Sequence, residues 1–177
     1  MKILPLLATG TAVLVVSSCD TRETLAPVAS APSGAVASNT SGPVETAGLF
    51  DAFVDFSTLT LTPRGSNCLL QVKGRLVFHG TIEGVGTGQT TALVFATCEQ
   101  VASLPPGTDP DVFTSELEFV GTVDGEPAQA HALYQGRAQP GGHIDGHLIF
   151  SNGISGVLDA SAQVAVGGEY QGSVVVH

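Results

Sequence analysis

The chain has 177 residues, 43% hydrophobic and 12% charged, with 22 glycines, 10 prolines, no tryptophan and a formal net charge of −10. That length is enough for one domain with a core of its own plus appendages, so a set of metal or disulfide staples is not obligatory. Only 6 basic side chains are scattered along it, which argues against nucleic acid as a partner and against an anionic membrane surface, since both need clustered Lys and Arg.

Met1-Lys2 is followed by an uncharged run from Ile3 to Val16, rich in Ile, Leu, Ala and Val. This predicts a secretory signal peptide over residues 1–18. The run is too short to span a membrane, which takes roughly 20 apolar residues. Val16-Ser17-Ser18-Cys19 resembles the bacterial lipobox, an aliphatic residue and two small ones before a cysteine. The resemblance implies cleavage before Cys19 and acylation of its thiol. A thiolate is a nucleophile suited to that transfer, and two or three chains on one residue anchor a domain that a single chain holds only marginally. The expected product is a lipoprotein of the bacterial cell envelope that meets the membrane through Cys19. An ordinary secreted protein is the alternative, and Asp20 leaves the leaflet open. Without Lys2, 5 basic residues remain against 16 acidic ones, a balance of −11.

Residues 19–47 carry Thr, Ser, Ala, Pro and Gly without periodicity, and read as the lipidated cysteine and a flexible tether. Its reach as a coil is on the order of 30 Å. Residues 48–177 differ in kind. Short segments rich in Val, Ile, Phe and Thr alternate between glycine-containing turns, and none holds a helical period over about ten residues. The class is therefore all-β.

Leu70, Val72, Gly74, Leu76, Phe78, Gly80 and Ile82 share one face of a long strand, with Gln71, Lys73, Arg75, His79, Thr81 and Glu83 on the other. The stretch from Gly84 to Gly88 reads as a turn into a strand from Thr90 to Cys98. Phe113, Leu117 and Phe119 then oppose Thr114, Glu116 and Glu118, and Asp124-Gly125 makes a hairpin turn. The return strand sets Ala128, Ala130, Ala132 and Tyr134 against Gln129, His131, Gln135 and Arg137. Pro140-Gly141-Gly142 leads into a face of Ile144, Gly146, Leu148 and Phe150, which Ser151-Asn152-Gly153 ends. Strands from about Val157 to Val166 and from Tyr170 to Val176, divided by Gly167-Gly168, complete the pattern.

Consecutive strands with tight turns predict a single antiparallel, mainly up-and-down β-barrel of about eight strands, with a β-sandwich as the alternative. Glycines on the apolar face, Gly74, Gly80 and Gly146, relieve crowding where strands coil. The candidate lumen lining is Leu70, Val72, Leu76, Phe78, Tyr134, Ile144, Leu148 and Phe150. No charged residue is expected on that inner face, where Tyr134 is the most polar large side chain.

The phrases Phe119-Val120-Gly121-Thr122-Val123-Asp124-Gly125, Gly153-Ile154-Ser155-Gly156-Val157-Leu158 and Gly167-Gly168-Glu169-Tyr170-Gln171-Gly172 carry a family resemblance. From Asn67 to Val176 the chain resembles the allene oxide cyclase-like barrels, which share their architecture with the dirigent proteins. The resemblance implies an eight-stranded antiparallel barrel. It carries over no substrate-pocket residue.

In an oxidising envelope Cys68 and Cys98 are expected to pair, closing a loop of about 30 residues; two buried thiols or a redox pair are the alternatives. His143, Asp145 and His147 project from one strand face about 6 to 7 Å apart and are candidate metal ligands. They lie opposite Ile144, Leu148 and Phe150, on the face read as solvated, so neither metal nor cofactor is expected. Ser155 lacks the Gly-x-Ser-x-Gly elbow of a hydrolase. Glu116 and Glu118, a carboxylate pair such as glycosidases use, fall on the exposed face. Asp109-Pro110-Asp111 reads as a solvated turn rather than a weak calcium loop. No catalytic residue is assigned.

Three functions compete at this level. A noncatalytic lipoprotein with a small apolar ligand in its lumen predicts an open cavity. A cyclase or isomerase acting on a lipid-like substrate predicts a cavity with a buried polar group, for which Tyr134 is the candidate. A structural or interaction module predicts a filled barrel and an apolar outer patch. No strand shows an obviously apolar outer face, so a monomer is the default and the oligomeric state stays open.

Overall fold

A computed structural model describes residues 42–177 of the chain. The expected signal peptide, Cys19 and the expected tether up to residue 41 lie outside the described residues. Eight antiparallel strands form one closed barrel in sequence order: β1 (Val44–Arg64), β2 (Asn67–Gly80), β3 (Ile82–Val94), β4 (Asp111–Val123), β5 (Glu126–Ala138), β6 (His143–Ser151), β7 (Ile154–Gln163) and β8 (Gly167–Val176). β1 pairs with β2 on one side and with β8 on the other. Closure removes both edges of the meander and excludes the sandwich. β1 begins at Val44, so Val44 to Ala47, at the end of the segment assigned to the tether, pair with β8 and belong to the barrel.

The period of two in the sequence becomes the inner wall. Phe78 of β2 meets Phe119 of β4 edge to face with ring centroids 5.7 Å apart, and Phe119 meets Phe150 of β6 at 5.8 Å. Phe50 of β1 and Tyr170 of β8 close around Phe78 at 6.0 and 5.9 Å. Ile82, Ile154 and Leu158 are fully buried beside these rings. Each such side chain stabilises the fold by about 1.5 to 3 kcal/mol relative to exposure. They pack the end of the barrel at which β2 passes into β3, here termed the closed end.

That passage corrects the sequence pattern. The chain turns at Gly80-Thr81, where Gly80 has φ +113°, and Gly84, Gly86 and Gly88 lie inside β3. Alternate glycines keep the strand period and line the inner wall, and at Gly84 and Gly88 β3 and β4 approach too closely for a side chain. A Cβ on Gly84 would stand 2.4 Å from the Val120 carbonyl oxygen, and one on Gly88 1.8 Å from that of Glu116. The corner is held by the Tyr170 hydroxyl. It accepts the Ile82 N–H at 2.9 Å and donates to the carbonyl of Ile82 or His79, at 3.1 and 3.2 Å.

Two further boundaries move. The strand read from Thr90 to Cys98 ends at Val94, and Cys98 opens a short helix, α1 (Cys98–Ser103), capped by Thr97. A helix of under two turns leaves no periodic signal. The last turn is Val164 to Val166, with Ala165 at φ +58°, and Gly167-Gly168 start β8. These glycines serve a close strand approach, since a Cβ on Gly168 would stand 2.0 Å from the Ser161 carbonyl oxygen. Asp124-Gly125 and Asn152-Gly153 turn where the sequence places them, all four residues at positive φ.

Candidate functional site

At the opposite end of the barrel the inner wall opens into an apolar cavity of about 180 Å³. Leu70, Val72, Leu76, Tyr134 and Ile144 wall this cavity, whereas Phe78, Leu148 and Phe150 belong to the packed core. A bulge in β1 makes the space. The β1–β2 pairing breaks between Asp55 and Thr60. Asp55 builds this bulge by accepting the Ser57 N–H at 3.0 Å and the Ser57 hydroxyl at 2.6 Å, while Thr58 accepts the Lys73 N–H at 2.9 Å. The bulge interrupts the inward side chains of β1 and leaves Phe56 exposed. Gly146 of β6 makes room for the Tyr134 ring, which lies 3.1 Å from where a Cβ would be.

The segment between β3 and β4 lies over this mouth. The Cys68–Cys98 disulfide is formed, with Cα atoms 4.9 Å apart, and ties the first residue of α1 to β2. Gly141 donates its N–H to the Gly107 carbonyl at 3.0 Å, fixing the segment to the β5–β6 turn. Between these attachments Leu104, Pro105 and Pro106 line the opening. The bridge thus positions the cavity's rim as well as closing a chain loop, a role that cysteine spacing alone does not disclose.

Tyr134, Thr90, Ser115 and Asp111 are polar residues among the lining of this apolar space. Tyr134 is 4% exposed, and its hydroxyl has no hydrogen-bond partner among the described residues. Its ring is held edge-on by Phe113 at 4.9 Å and Phe50 at 5.7 Å. Burial, and then the charge of Asp145, push the phenol well above its ordinary range. It therefore stays protonated and serves as a hydrogen-bonding group rather than a base. An unpaired buried hydroxyl costs about 1 to 3 kcal/mol. Thr90 and Ser115 pair their hydroxyls across β3 and β4 at 2.7 Å.

Asp111 corrects the sequence reading. The first residue of β4, it pairs with the buried Val94 and Ala138 and shares the inner face with Phe113 and Ser115. Desolvation raises its carboxyl to about 6, against the opposing effect of the Ala138 backbone hydrogen bond. A charged residue does lie on the inner wall, because β4 starts before Phe113. The alternation Asp111, Phe113, Ser115, Leu117 was present in the sequence but hidden by the turn-like Asp109-Pro110. Asp109 itself stays in the connecting segment and accepts a hydrogen bond from Gln100 Nε2 at 2.8 Å.

The remaining candidates lie on the outside. His143, Asp145 and His147 are exposed; His143 Nε2 is 3.2 Å from Asp145 Oδ1, but His147 Nδ1 turns to Asp159 of β7 at 3.1 Å. Among the described residues, no three potential metal ligands converge. Glu116 and Glu118 are exposed on the outer face of β4. Ser155 Oγ lies 2.8 Å from His177 Nε2, with no carboxylate to orient the imidazole among the described residues.

No protein-family model matches the chain, and no curated protein matches it. A solved structure is similar: a protein of unknown function from the DUF3224 family of Shewanella oneidensis MR-1, with a TM-score of 0.51 at 15% identity. The match covers 77% of this chain and 98% of that one. At this identity the likeness is one of fold.

Proposed function

We propose that the chain is an exported, lipid-anchored binding module whose barrel takes up a small apolar molecule carrying a hydrogen-bonding group. The observation that carries this reading is the apolar cavity of about 180 Å³ beneath the disulfide-held segment, with Tyr134, Ser115 and Asp111 among the residues that line it. Apolar cavities of about 150 Å³ accommodate benzene. A single ring or short branched chain therefore fits within the walls, and a longer chain would extend through the mouth. The lipobox-like Val16-Ser17-Ser18-Cys19 supports residence in the bacterial cell envelope, with Cys19 as the link to the membrane. A cyclase or isomerase of the allene oxide cyclase-like kind would draw on the same cavity. The strongly protonated state of Tyr134 favours holding a ligand over abstracting its proton. A fully packed interaction module accounts for neither the cavity nor its orphaned hydroxyl.

The test is native mass spectrometry of the mature chain from an oxidising compartment, followed by organic extraction. A small apolar adduct is expected, retained less well by Tyr134→Phe. A bare mass that stays bare when challenged with phenethyl alcohol and isoprenoid alcohols would retire the binding reading and move attention to the outer face.

A further inference from the structure

The cavity is apolar, yet its wall carries a carboxyl with no cation paired to it among the described residues. Asp111 sits on the inner face at the mouth between the apolar neighbours Val94 and Ala138. Among the described residues, no basic side chain lies within ion-pair distance of it; the ion pairs formed are His79 with Asp51, His143 with Asp145 and His147 with Asp159. Lys73 and Arg75 reach the rim from the exposed outer face of β2, and Arg75 is engaged 4.8 Å above the Phe53 ring. Solvent screens charges placed there, whereas a half-buried carboxyl interacts through a poorer dielectric.

We propose that the cavity selects compact apolar amines over carboxylic acids of the same skeleton, with the ammonium group held at Asp111 and the apolar body against Phe113 and Tyr134. This rests on the reading that the barrel binds a small molecule, and it adds the class of that molecule. An ammonium group supplies the counter-charge that the Asp111 carboxylate lacks within the fold, and adds donors to the one backbone N–H, that of Ala138, which it already accepts. The two aromatic rings favour a cation over an anion for the same reason, since their faces carry negative potential. A carboxylate ligand would meet like charge at Asp111, and the cations at the rim, Lys73 and Arg75, stand on the solvent-screened outer face. The acidic balance of the whole chain acts in the same direction on approach.

The test is calorimetric titration of the mature, disulfide-bonded chain near neutral pH with phenethylamine, phenethyl alcohol and phenylacetate. Phenethylamine is expected to bind at least about tenfold more tightly than phenylacetate. Asp111→Asn is expected to erase most of that preference, with its circular dichroism spectrum and melting transition reporting that the variant is folded. If the alcohol binds but amine and acid bind alike, charge selection is wrong and the binding reading stands. If the preference for the amine survives in Asp111→Asn, the assignment to Asp111 is overturned. If none of the three binds, both proposals fall together.

Discussion

At the closed end of the barrel Phe78, Phe119, Phe150 and Tyr170 meet ring against ring, and the Tyr170 hydroxyl is satisfied by backbone at the β2–β3 corner. At the open end Phe113 and Tyr134 frame a space, the Tyr134 hydroxyl is unpartnered, and a carboxyl is raised by desolvation. Both ends use the same alternating strands, and both contain a buried tyrosine. The difference shows how one closed sheet can divide its labour along the axis. Dense packing at one end stabilises the fold, so the other can hold polar groups in unfavourable surroundings until a ligand meets them.

The sharpest way to break that comparison is to remove its stable half. Phe78→Ala is expected to cost about 3 to 5 kcal/mol and to unfold the barrel in urea well before Phe113→Ala does. Equal losses at Phe78 and Phe113 would mean that the two ends are not energetically distinct. Next in size is the bridge. Cys68→Ser with Cys98→Ser is expected to lower stability by about 3 kcal/mol. It should also expose the segment between Val94 and Asp111 to proteolysis ahead of the strands. Uniform cleavage along the chain would contradict a rim held locally by the disulfide.

Asp111 gives a smaller effect with a defined pH window. Its carboxyl is raised from an ordinary value of 3.8 to about 6 in the fold, so the native state holds a proton that the unfolded chain releases first. Stability attached to this group is fully present below about pH 4 and is lost as pH rises through about 6. Asp111→Asn is expected to gain about 1 to 2 kcal/mol at pH 8, after allowance for solvent screening, and little at pH 4. Melting temperatures at the two pH values decide it, and a variant less stable at pH 8 would refute the desolvated geometry. Smallest is Tyr134→Phe, expected to stabilise the free protein by about 1 kcal/mol because it deletes an unsatisfied hydroxyl. A clear loss of stability instead would mean that the hydroxyl is satisfied within the fold.

The barrel was legible wherever alternation ran uninterrupted. Asp124-Gly125 and Asn152-Gly153 announce their turns because both need positive φ, and the inward faces of β5 and β6 follow from simple parity. Legibility failed where glycine had two meanings. Gly84, Gly86 and Gly88 looked like a turn, yet they occupy the inner face of a strand that its neighbour approaches closely. The candidate site divided in the same manner. Tyr134 stood out as a large polar residue on an apolar face, whereas Asp111 was concealed because Pro110 precedes it and β4 begins sooner than its aromatic residues suggest. The Thr90–Ser115 pair was not found either, because two small hydroxyls on separate strands meet only once the register is known.

The seam between β1 and β8 bears on how this protein acquires its shape in time. Thr46 donates its hydroxyl hydrogen to the Gly172 carbonyl at 3.2 Å, a contact between residues 126 positions apart. The strand made first must therefore wait for the strand made last. Such non-local closure slows folding, because the entropy of drawing distant segments together is lost before the new contacts form. Until β8 emerges, the growing sheet presents two open edges that can pair with other chains. Deleting β8 would accordingly yield an aggregation-prone intermediate rather than a seven-stranded barrel.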